Sequence, residues 1–466
     1  MSELTLSGLA IREHRQLVGL SQAKLAELTG VPQHVLSAFE LGKSTLPPAM
    51  AGKLVSALAR SADVSALSAR RKRYAQHTYS DVSVLAHRAS RAVRTDRNDA
   101  YLTQLRAMAR SHSSTDRPGL SAVSLFSGCG GFSLGFSAAG FGVKGYVELD
   151  ANLRRIYRAN FRDPVEIGGD IAAISDCTIR QHAQAFGDVD AIIGGPPCQG
   201  FSLAGKREIS DPRNSLFRHY LRFVEVMRPK VAFLENVRLL TSMKSVDGKL
   251  IRDQIAAEFR HRGYRVAFFE INATSYGVPQ HRERVIFVAT RADLDIQPSI
   301  PAATHGTGSD LFSNVMVPST FADACSDLAY IESGGRSGDA LHSAVRHPDH
   351  VVRWLWDVPE GRSAHDNEDA ALRPPSGYNT TYKRQVWLEP AATVQTTFGM
   401  ISGCRNVHPI ATRSLTVREA ARIQSFPDQF EFPGALGPTR TGIGNAVPPL
   451  LALALAKHAR ALLQSL

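Results

Sequence analysis

The chain has 466 residues, which is enough for about three domains of ordinary size and for a large buried core. Lysine and arginine total 54 against 43 aspartate and glutamate residues, so the formal net charge is +11, and this excess favours a polyanionic partner such as nucleic acid. The hydrophobic fraction of 43% and the charged fraction of 21% exclude a wholly disordered chain.

The first 60 residues are predicted to form an all-helical unit. Apolar residues recur there at helical spacing, Ser21 is a candidate N-cap, Gly30 ends one short helix and Pro32 opens the next. Two short helices joined at a glycine make a helix-turn-helix. The stretch LSQAKLAELTGVPQHVLSAFELGKSTLP resembles the DNA-binding domain of phage-repressor-type regulators. The resemblance implies DNA contacts by Gln22, Gln33, Ser37 and Lys43; the alternative is that these helices only pack or dimerise.

Residues 61–118 are rich in arginine and poor in acidic residues, with helical periodicity near Tyr101, Leu102, Leu105 and Met108. We predict a basic, partly helical linker. Two interpretations stay open for it: it follows a phosphate backbone, or it is a solvated helical connector. The stretch SHSSTDRPG at 111–119 predicts a flexible boundary at its end.

From residue 119 onwards, short apolar runs alternate with helical segments, which predicts parallel β/α construction. The fold class expected for residues 119–291 is therefore α/β, as a Rossmann-like domain. Residues 292–412 interrupt this rhythm, are rich in Gly, Pro, Ser, Asp and His, and are predicted to form a smaller lobe. Residues 413–466 are expected to return to the Rossmann-like domain and to end in a helix near 448–464.

A glycine-rich turn follows the first predicted strand. Gly128, Gly130 and Gly131 precede a predicted helix, so backbone amides there can approach a ligand closely. Glu148 ends the second predicted strand, where its carboxylate can accept both ribose hydroxyls of a nucleoside. The glycine-rich turn and Glu148 together favour an adenosine-containing cofactor. The alternative is a structural strand-turn-helix with an exposed glutamate.

Three later motifs place reactive side chains near strand ends. Cys198 follows a strand within GGPPCQGFS, and a nucleophilic thiol at that edge of the sheet needs access and a lowered pKa. Glu235 ends the next strand and can exchange a proton with a substrate ring. Arg282 and Arg284 share one face of an extended segment and can hold an anion or a carbonyl oxygen. The alternatives are a small buried cysteine, a surface acid and exposed arginines.

These motifs resemble, in kind and in order, those of bacterial DNA (cytosine-5) methyltransferases, and the resemblance covers about residues 120–466. The matching segments are FSGCGG at 126–131, GGPPCQGFS at 194–202, ENV at 235–237, QHRER at 280–284, LTVREAARIQSFP at 415–427 and IGNAVPP at 443–449.

The resemblance implies the activity of a DNA (cytosine-5-)-methyltransferase that uses S-adenosylmethionine. Cys198 would add to carbon 6 of a flipped cytosine, Glu235 would contact ring N3, and Arg284 would contact the carbonyl oxygen. Arg282 would be a loop or phosphate partner. The base that removes the carbon-5 proton is not identified.

The same resemblance implies the remaining contacts. The expected cofactor contacts are Phe126, Gly128, Gly130, Gly131, Glu148, Leu149, Asp170, Ile171, Pro197 and Asn445, and the expected target-DNA contacts are Gln199 and Ser202. Ser124 departs from the family, since some members have an acidic residue there; this weakens any expectation of a carboxylate at the cofactor's ammonium group. The lobe, with the segment SGYNTTYKRQVWLEPAATVQTTF, would recognise the DNA sequence.

The expected partners are double-stranded DNA, operator DNA at the N-terminal domain, and a restriction endonuclease that acts on the same site. Two alternatives remain: a transcription regulator with a methyltransferase-like body, and an RNA cytosine-5 methyltransferase. No metal site is expected, since His342, His347 and His350 with Asp349 are irregularly spaced.

Five cysteines without CxxC spacing, no signal-peptide pattern and no bilayer-spanning apolar run favour a cytoplasmic, nucleoid-associated protein. Apart from Cys198, the cysteines are expected to be small buried side chains. They are Cys129, Cys177, Cys325 and Cys404.

Overall fold

The computed structural model describes residues 11–12, 15, 20–41, 43–60, 82–113, 119–197, 216–245, 248–306 and 315–466. The chain forms two compact units, Met1–His87 and Arg88–Leu466. The Cys198 loop therefore lies outside the described residues, as do the predicted linker residues 61–81 and 114–118.

Among its described residues, the first unit has the helices α1 (Gln22–Thr29), α2 (Gln33–Glu40) and α3 (Pro48–Arg60). The Ser21 hydroxyl accepts a hydrogen bond from the Lys24 amide at the start of α1, and Gly30 ends that helix at a φ of 70°. Leu25, Leu36 and Leu54 are fully buried between the helices. The two short helices on either side of Gly30 agree with the predicted helix-turn-helix.

Two further helices precede the sheet, α4 (Val82–Arg91) and α5 (Asp96–Ser113). Four apolar side chains of α5 are buried in the main core of the second unit: Tyr101, Leu102, Leu105 and Met108. A helix with one buried stripe is packed structure. This part of the predicted linker is therefore neither a solvated connector nor free to follow a phosphate backbone along that face.

A seven-stranded sheet is the centre of the second unit, in the order β3-β2-β1-β4-β5-β7-β6. The strands are β1 (Ser121–Leu125), β2 (Gly142–Val147), β3 (Val165–Gly168), β4 (Ala191–Gly194), β5 (Val231–Val237), β6 (Tyr264–Asn272) and β7 (Glu283–Arg291).

Strands β1 to β5 are parallel, but β7 runs antiparallel to both of its neighbours. The expectation of parallel construction is therefore wrong at β7. The cause is the short link of residues 273–282, because a parallel connection needs a crossover of about a dozen residues or more, usually a helix. The link instead reverses the chain, and Asn272 pairs with Glu283.

Successive strand residues face opposite sides of the sheet, which gives the second unit two hydrophobic layers. On one side lie α6 (Gly131–Ala138), α7 (Ala151–Asn160) and α15 (Pro449–Gln464), whose buried residues join those of α5. On the other lie α8 (Asp176–Phe186), α9 (Leu216–Met227) and α10 (Ile251–His261). The sheet is thus covered on both faces, as an α/β fold requires.

The segment 292–412 is largely irregular, with two short helices, α11 (Phe321–Cys325) and α12 (Asp349–Leu355). It has a small core of its own, made of Val351, Leu355, Val358, Ala364, Ile401 and Val407. We call this segment the lobe. After it, α13 (Val417–Ile423) begins at a Thr416–Glu419 capping box, and α14 (Leu436–Asn445) leads into α15.

Two histidines of the lobe that were weighed as metal ligands make hydrogen bonds to the segment that follows the lobe. His342 contacts the Thr416 hydroxyl and the Ala329 carbonyl oxygen, and His347 contacts the hydroxyl and amide of Ser414.

The cysteines divide into two classes. Cys129 and Cys325 are buried as expected, but Cys177 and Cys404 are exposed, so the expectation of burial is wrong for those two. Cys177 lies in the first turn of α8 and Cys404 in an irregular loop, where neither has a core to enter.

No single helix of the described chain is long and apolar enough to span a membrane; α14 and α15 reach that length only as a pair bent by 42°.

Candidate active site

A cavity of about 630 Å³ opens at the carboxyl ends of β1, β2, β4 and β5. This volume lies within the roughly 300–1,000 Å³ of small-molecule sites. Strand order reverses between β1 and β4, and open α/β sheets bind ligands at such a point. The predicted residues that line the cavity are Phe126, Gly128, Gly131, Glu148, Leu149, Asp170, Ile171, Pro197, Glu235, Arg282, Arg284 and Asn445.

The turn after β1 brings its backbone to the cavity in an unusual conformation. Phe126 has a φ of 52° and Gly128 a φ of 56°, and such positive values are strained for a residue with a side chain. Gly131 begins α6 at the cavity wall. Gly130 is not among the lining residues; a Cβ there would collide with the Phe161 ring. Gly130 thus permits close packing behind the turn, and its cofactor contact stays a prediction.

Glu148 is held by the backbone on both sides. Its Oε2 accepts a hydrogen bond from the Gly128 amide at 2.7 Å, and its Oε1 accepts one from the Asp150 amide at 2.8 Å. Burial raises the pKa of this carboxyl, although the two amides oppose the shift. Each oxygen of a carboxylate can accept a second hydrogen bond, so Glu148 can still bind a pair of hydroxyl groups.

The cavity wall beside Glu148 combines an apolar surface with a fixed carboxylate. The Leu149 side chain is 70% exposed although it is apolar. Asp170 accepts a hydrogen bond from the Ala172 amide at 2.9 Å, and the neighbouring Ile171 is buried. An exposed leucine next to a nucleoside-sized space suits a flat aromatic ring.

The turn after β4 is fastened to the end of β5. Asn236 Nδ2 donates a hydrogen bond to the Pro196 carbonyl oxygen at 2.8 Å. A Cβ on Gly195 would lie 2.9 Å from Glu235 Oε2, so a side chain there would displace this carboxylate. Sequence reasoning missed Asn236 as a positioning residue; its place directly after Glu235 in ENV was the available signal. Cys198, Gln199 and Ser202 follow this turn but lie outside the described residues.

Glu235 and Arg284 meet across β5 and β7. Val237 is paired with Arg284, and Glu235 lies two residues earlier on the same face. Arg284 Nε is 2.7 Å from Glu235 Oε1, and both side chains are nearly buried. The structure thus brings together the predicted acid and the predicted carbonyl-binding arginine.

Arg282 is buried, which contradicts the alternative of an exposed surface arginine. Its side chain is 1% exposed and donates hydrogen bonds to the Gly444 and Val394 carbonyl oxygens. Burial, and secondarily the Arg284 charge, lower its pKa. The contact with Val394, which lies in an irregular segment, fits the expected role as a loop partner, and the phosphate alternative stays a prediction. Through Gly444 and Val394, Arg282 joins the end of α14 to the lobe.

Gln280 is a second buried positioning residue that sequence reasoning left without a role. Its Nε2 donates to the Ile423 carbonyl oxygen and to Gln424 Oε1, and its Oε1 accepts from the Val394 amide. The departure at Ser124 is likewise structural: its hydroxyl accepts from Ser133, whose hydroxyl accepts from Tyr157.

In the first unit, the residues predicted to contact DNA differ in their solvent exposure. Gln33 and Lys43 are exposed and Ser37 is partly exposed. Gln22 is tied down, because its Nε2 donates a hydrogen bond to Glu40, which is also held by Arg15. Gln33 and Lys43 are therefore the most accessible of these predicted contacts.

Comparisons with known proteins agree along most of the chain. Residues 120–460 match the family model described as C-5 cytosine-specific DNA methylase, and residues 11–64 match a helix-turn-helix model. Among curated relatives, Type II methyltransferase M.DdeI of Desulfomicrobium norvegicum is 35% identical over 379 residues, covering 72% of this chain and 87% of that protein. Type II methyltransferase M1.HphI of Haemophilus parahaemolyticus is 37% identical over 342 residues, covering 72% and 86%.

A solved structure is also similar. It is a DNA modification methyltransferase encoded within a prophage of E. coli, with a TM-score of 0.58 at 25% identity, and the match covers 74% of this chain and 100% of that one.

Proposed function

The chain belongs to the family of C-5 cytosine-specific DNA methylases, and from that premise we propose that it transfers a methyl group from S-adenosylmethionine to carbon 5 of a cytosine rotated out of duplex DNA. The observation that supports this most strongly is the Glu235–Arg284 pair, which lies in the same cavity as Glu148. One cavity thus provides groups for a pyrimidine ring and groups for a nucleoside.

The residues present fit S-adenosylmethionine. Glu148 would accept hydrogen bonds from the ribose hydroxyls, Leu149 would cover one face of the adenine, and Asp170 with Ile171 would border its edge. Phe126, Gly128 and Gly131 would enclose the ligand from the side of β1. Pro197 and Asn445 would border the end that leads to the target base. When bound, this molecule supplies the methyl group on a positively charged sulfur.

The reaction needs a nucleophile because carbon 5 of cytosine is itself a weak one. The Cys198 thiolate would form a bond to carbon 6, and the electron pair displaced from the 5,6 double bond would make carbon 5 nucleophilic. Glu235 would hold a proton at N3 and Arg284 would bind the carbonyl oxygen, so both offset the negative charge that develops on the ring. After methyl transfer, loss of the carbon-5 proton and of the thiolate restores the double bond.

Sequence recognition is assigned to the lobe and to the segment 376–398. Tyr378 is 80% exposed there, while Arg384 is buried and anchors the segment. The curated relatives are named as Type II methyltransferases, which supports a place in a restriction-modification system with an endonuclease that acts on the same sequence.

A second function is supported by the first unit. The helix-turn-helix match at residues 11–64 and the exposed Gln33 and Lys43 favour binding of an operator, through which the protein would regulate transcription. This function is compatible with methyl transfer by the second unit.

The test is methyl transfer by the full-length protein from labelled S-adenosylmethionine to unmethylated bacterial genomic DNA, followed by bisulfite sequencing. We expect 5-methylcytosine in one sequence context, with tRNA a poor substrate. Cys198→Ala should abolish transfer, whereas Cys177→Ala, which alters an exposed cysteine on α8, should not. Genomic DNA containing 5-fluorocytosine should trap a covalent complex, because fluorine blocks the final elimination.

Three outcomes would contradict the proposal. Normal turnover by Cys198→Ala would exclude the thiol as nucleophile. Preference for tRNA would favour the RNA methyltransferase. Absence of any transfer together with intact operator binding would favour the regulator with a methyltransferase-like body.

A further inference from the structure

Residues 88–113, which we call the brace, match neither family model, since the two matched segments end at residue 64 and begin at residue 120. The brace comprises the last turn of α4 and the whole of α5. It belongs to the same compact unit as the sheet, and its two ends bind different parts of that unit.

At its first end, the brace inserts a buried arginine into the lobe. The Arg88 side chain is 9% exposed, and its guanidinium carbon lies 3.8 Å from the centre of the Trp356 ring. The guanidinium also donates to the Trp356 carbonyl oxygen, to Thr412 Oγ1 at 3.0 Å, and to Glu332 Oε1 at 3.3 Å. One side chain thereby joins three separate stretches of the lobe.

The residues that Arg88 contacts also anchor the segment 376–398, which we call the recognition segment. Arg384, from that segment, donates to the same Thr412 hydroxyl at 2.8 Å and to the Leu355 carbonyl oxygen at 2.7 Å. Glu332 accepts from the Thr412 amide through its other oxygen. Two guanidinium groups therefore share Thr412, and Glu332 forms an ion pair with one of them, Arg88.

The middle of the brace continues the attachment. Trp387 Nε1 donates to the Val93 carbonyl oxygen at 3.1 Å, and the Thr95 hydroxyl donates to Asp323 at 2.8 Å. Asn98, which is fully buried, donates to the Asp323 carbonyl oxygen and to Asp327, both at 3.0 Å.

The second end of the brace is attached to the catalytic part of the unit. The Tyr101 hydroxyl donates to the Arg422 carbonyl oxygen in α13 at 2.6 Å. His112 contacts the Ser137 hydroxyl at 2.9 Å and the Asn160 carbonyl oxygen at 3.0 Å, next to the helices that flank the glycine turn. The brace therefore spans from the base of the lobe to the wall behind the cofactor cavity.

We propose that Arg88 is a positioning residue for target DNA: together with Trp356, Thr412 and Glu332 it fixes the base of the lobe, so that the recognition segment is held at one distance and angle from the cavity. This inference rests on the proposed methyl transfer to DNA. Arg88 contacts neither cofactor nor the reacting base, so its loss should affect DNA recognition and leave cofactor binding unchanged.

The first test measures methylation of unmethylated genomic DNA by full-length Arg88→Ala. We expect the KM for DNA to rise about tenfold, equivalent to ~1.4 kcal/mol, with kcat and cofactor affinity near the original values. Bisulfite sequencing should show methylated cytosines in additional sequence contexts. Arg88→Lys, which keeps the charge opposite Glu332, should recover part of the KM. The matched control is Arg106→Ala, on the exposed face of α5.

The second test does not depend on activity. The chain has three tryptophans, at positions 354, 356 and 387, and all of them lie in the lobe. Tryptophan fluorescence during urea unfolding therefore reports on the lobe, with Trp387 also packed in the main core of the second unit. We expect the midpoint of this transition to fall by roughly 0.5–1 M urea in Arg88→Ala and to stay unchanged in Arg106→Ala.

The two tests separate the inference from the proposed function. An unchanged fluorescence midpoint in Arg88→Ala would overturn the inference, whether or not the protein methylates DNA. An unchanged KM with unchanged sequence contexts would also overturn it, as would a parallel loss of kcat and cofactor affinity. Absence of methylation by the unaltered protein, with the midpoint shift present, would reject the proposed function and leave the attachment of the lobe established.

Discussion

Two glutamates at strand ends show how the surroundings separate similar side chains. Each carboxylate oxygen of Glu148 accepts a hydrogen bond from a backbone amide. Its position is therefore fixed, which suits the proposed role of binding the ribose. Glu235 faces the Arg284 guanidinium in an ion pair, with Arg284 Nε 2.7 Å from its Oε1, and no backbone amide of the described residues donates to its carboxylate. A buried carboxylate with spare acceptor capacity next to a cation is suited to hold a proton on a passing ring.

We predict that Glu235→Gln lowers kcat by about 10²–10⁴-fold, because glutamine keeps the shape of the side chain but cannot exchange a proton with N3. Cofactor affinity should stay the same, since Glu148 is untouched. Single-turnover methylation and cofactor titration measure the two quantities. The control is Glu258→Gln on α10, whose partner Arg262 lies away from the cavity. Equal loss in both variants would contradict the role of Glu235.

Gly195 provides a second residue-level prediction. An alanine Cβ there would lie 2.9 Å from Glu235 Oε2, a distance that forces the carboxylate to move. We expect Gly195→Ala to lower methylation at least about tenfold, as misplacement of a catalytic group does, with little change in the free energy of unfolding. Gly437→Ala is the control, because a Cβ there meets nothing within 4 Å. Activity of Gly195→Ala equal to this control would show that the carboxylate tolerates displacement.

At the scale of elements, the order of the motifs and the apolar runs was sufficient to predict the strands and which of their ends line the cavity. The reversal of β7 was not predicted, because an apolar run has no direction; only the length of the link before it contains that information. The burial of Arg282 was not predicted, for a related reason. Its burial depends on the Gly444 and Val394 carbonyls, which are more than 100 residues away in sequence.

The lobe offers an element-level prediction through His347. Its Nε2 accepts a hydrogen bond from the Ser414 amide, which requires a neutral ring. Burial, with the Arg413 charge as a second cause, lowers its pKa from 6.5 to about 4. The unfolded chain thus binds a proton between those values while the folded lobe does not. The contribution of His347 to the free energy of unfolding is fully present above pH 6.5 and is lost as the pH falls towards 4.

Between pH 7 and pH 5 this histidine should therefore remove roughly 2 kcal/mol from the free energy of unfolding of the lobe. The measurement is the urea midpoint of tryptophan fluorescence at both pH values. His347→Gln should reduce the difference between the urea midpoints at pH 7 and pH 5. Burial also lowers the pKa of His408, which accounts for the pH dependence that remains in this variant. His261→Gln, which alters an exposed ring on α10, should leave the difference as it is. An undiminished difference in His347→Gln would exclude this histidine as the source.

For the whole molecule, sequence patterns indicated a helix-turn-helix and a methyltransferase domain, but they did not indicate which contacts attach the lobe to the rest of the second unit. The motifs describe side chains that face ligands, whereas the brace acts through burial of Arg88, Asn98 and Tyr101 against residues from other parts of the fold. Such packing has no local signature beyond an apolar stripe. This is why residues 61–118 were interpreted as a linker, although α5 is part of the catalytic unit's core.

The two units can be altered separately, because each has its own hydrophobic core. We predict that full-length Gln33→Ala lowers the affinity for the operator by about 1–3 kcal/mol and leaves methylation intact. Cys198→Ala should abolish methylation and leave the affinity for the operator intact. The double variant should show the sum of both defects, as independent sites do. Gel-shift titration of the upstream promoter fragment and labelled methyl transfer measure the two functions. A methylation defect in Gln33→Ala would instead mean that operator contacts and catalysis are energetically coupled.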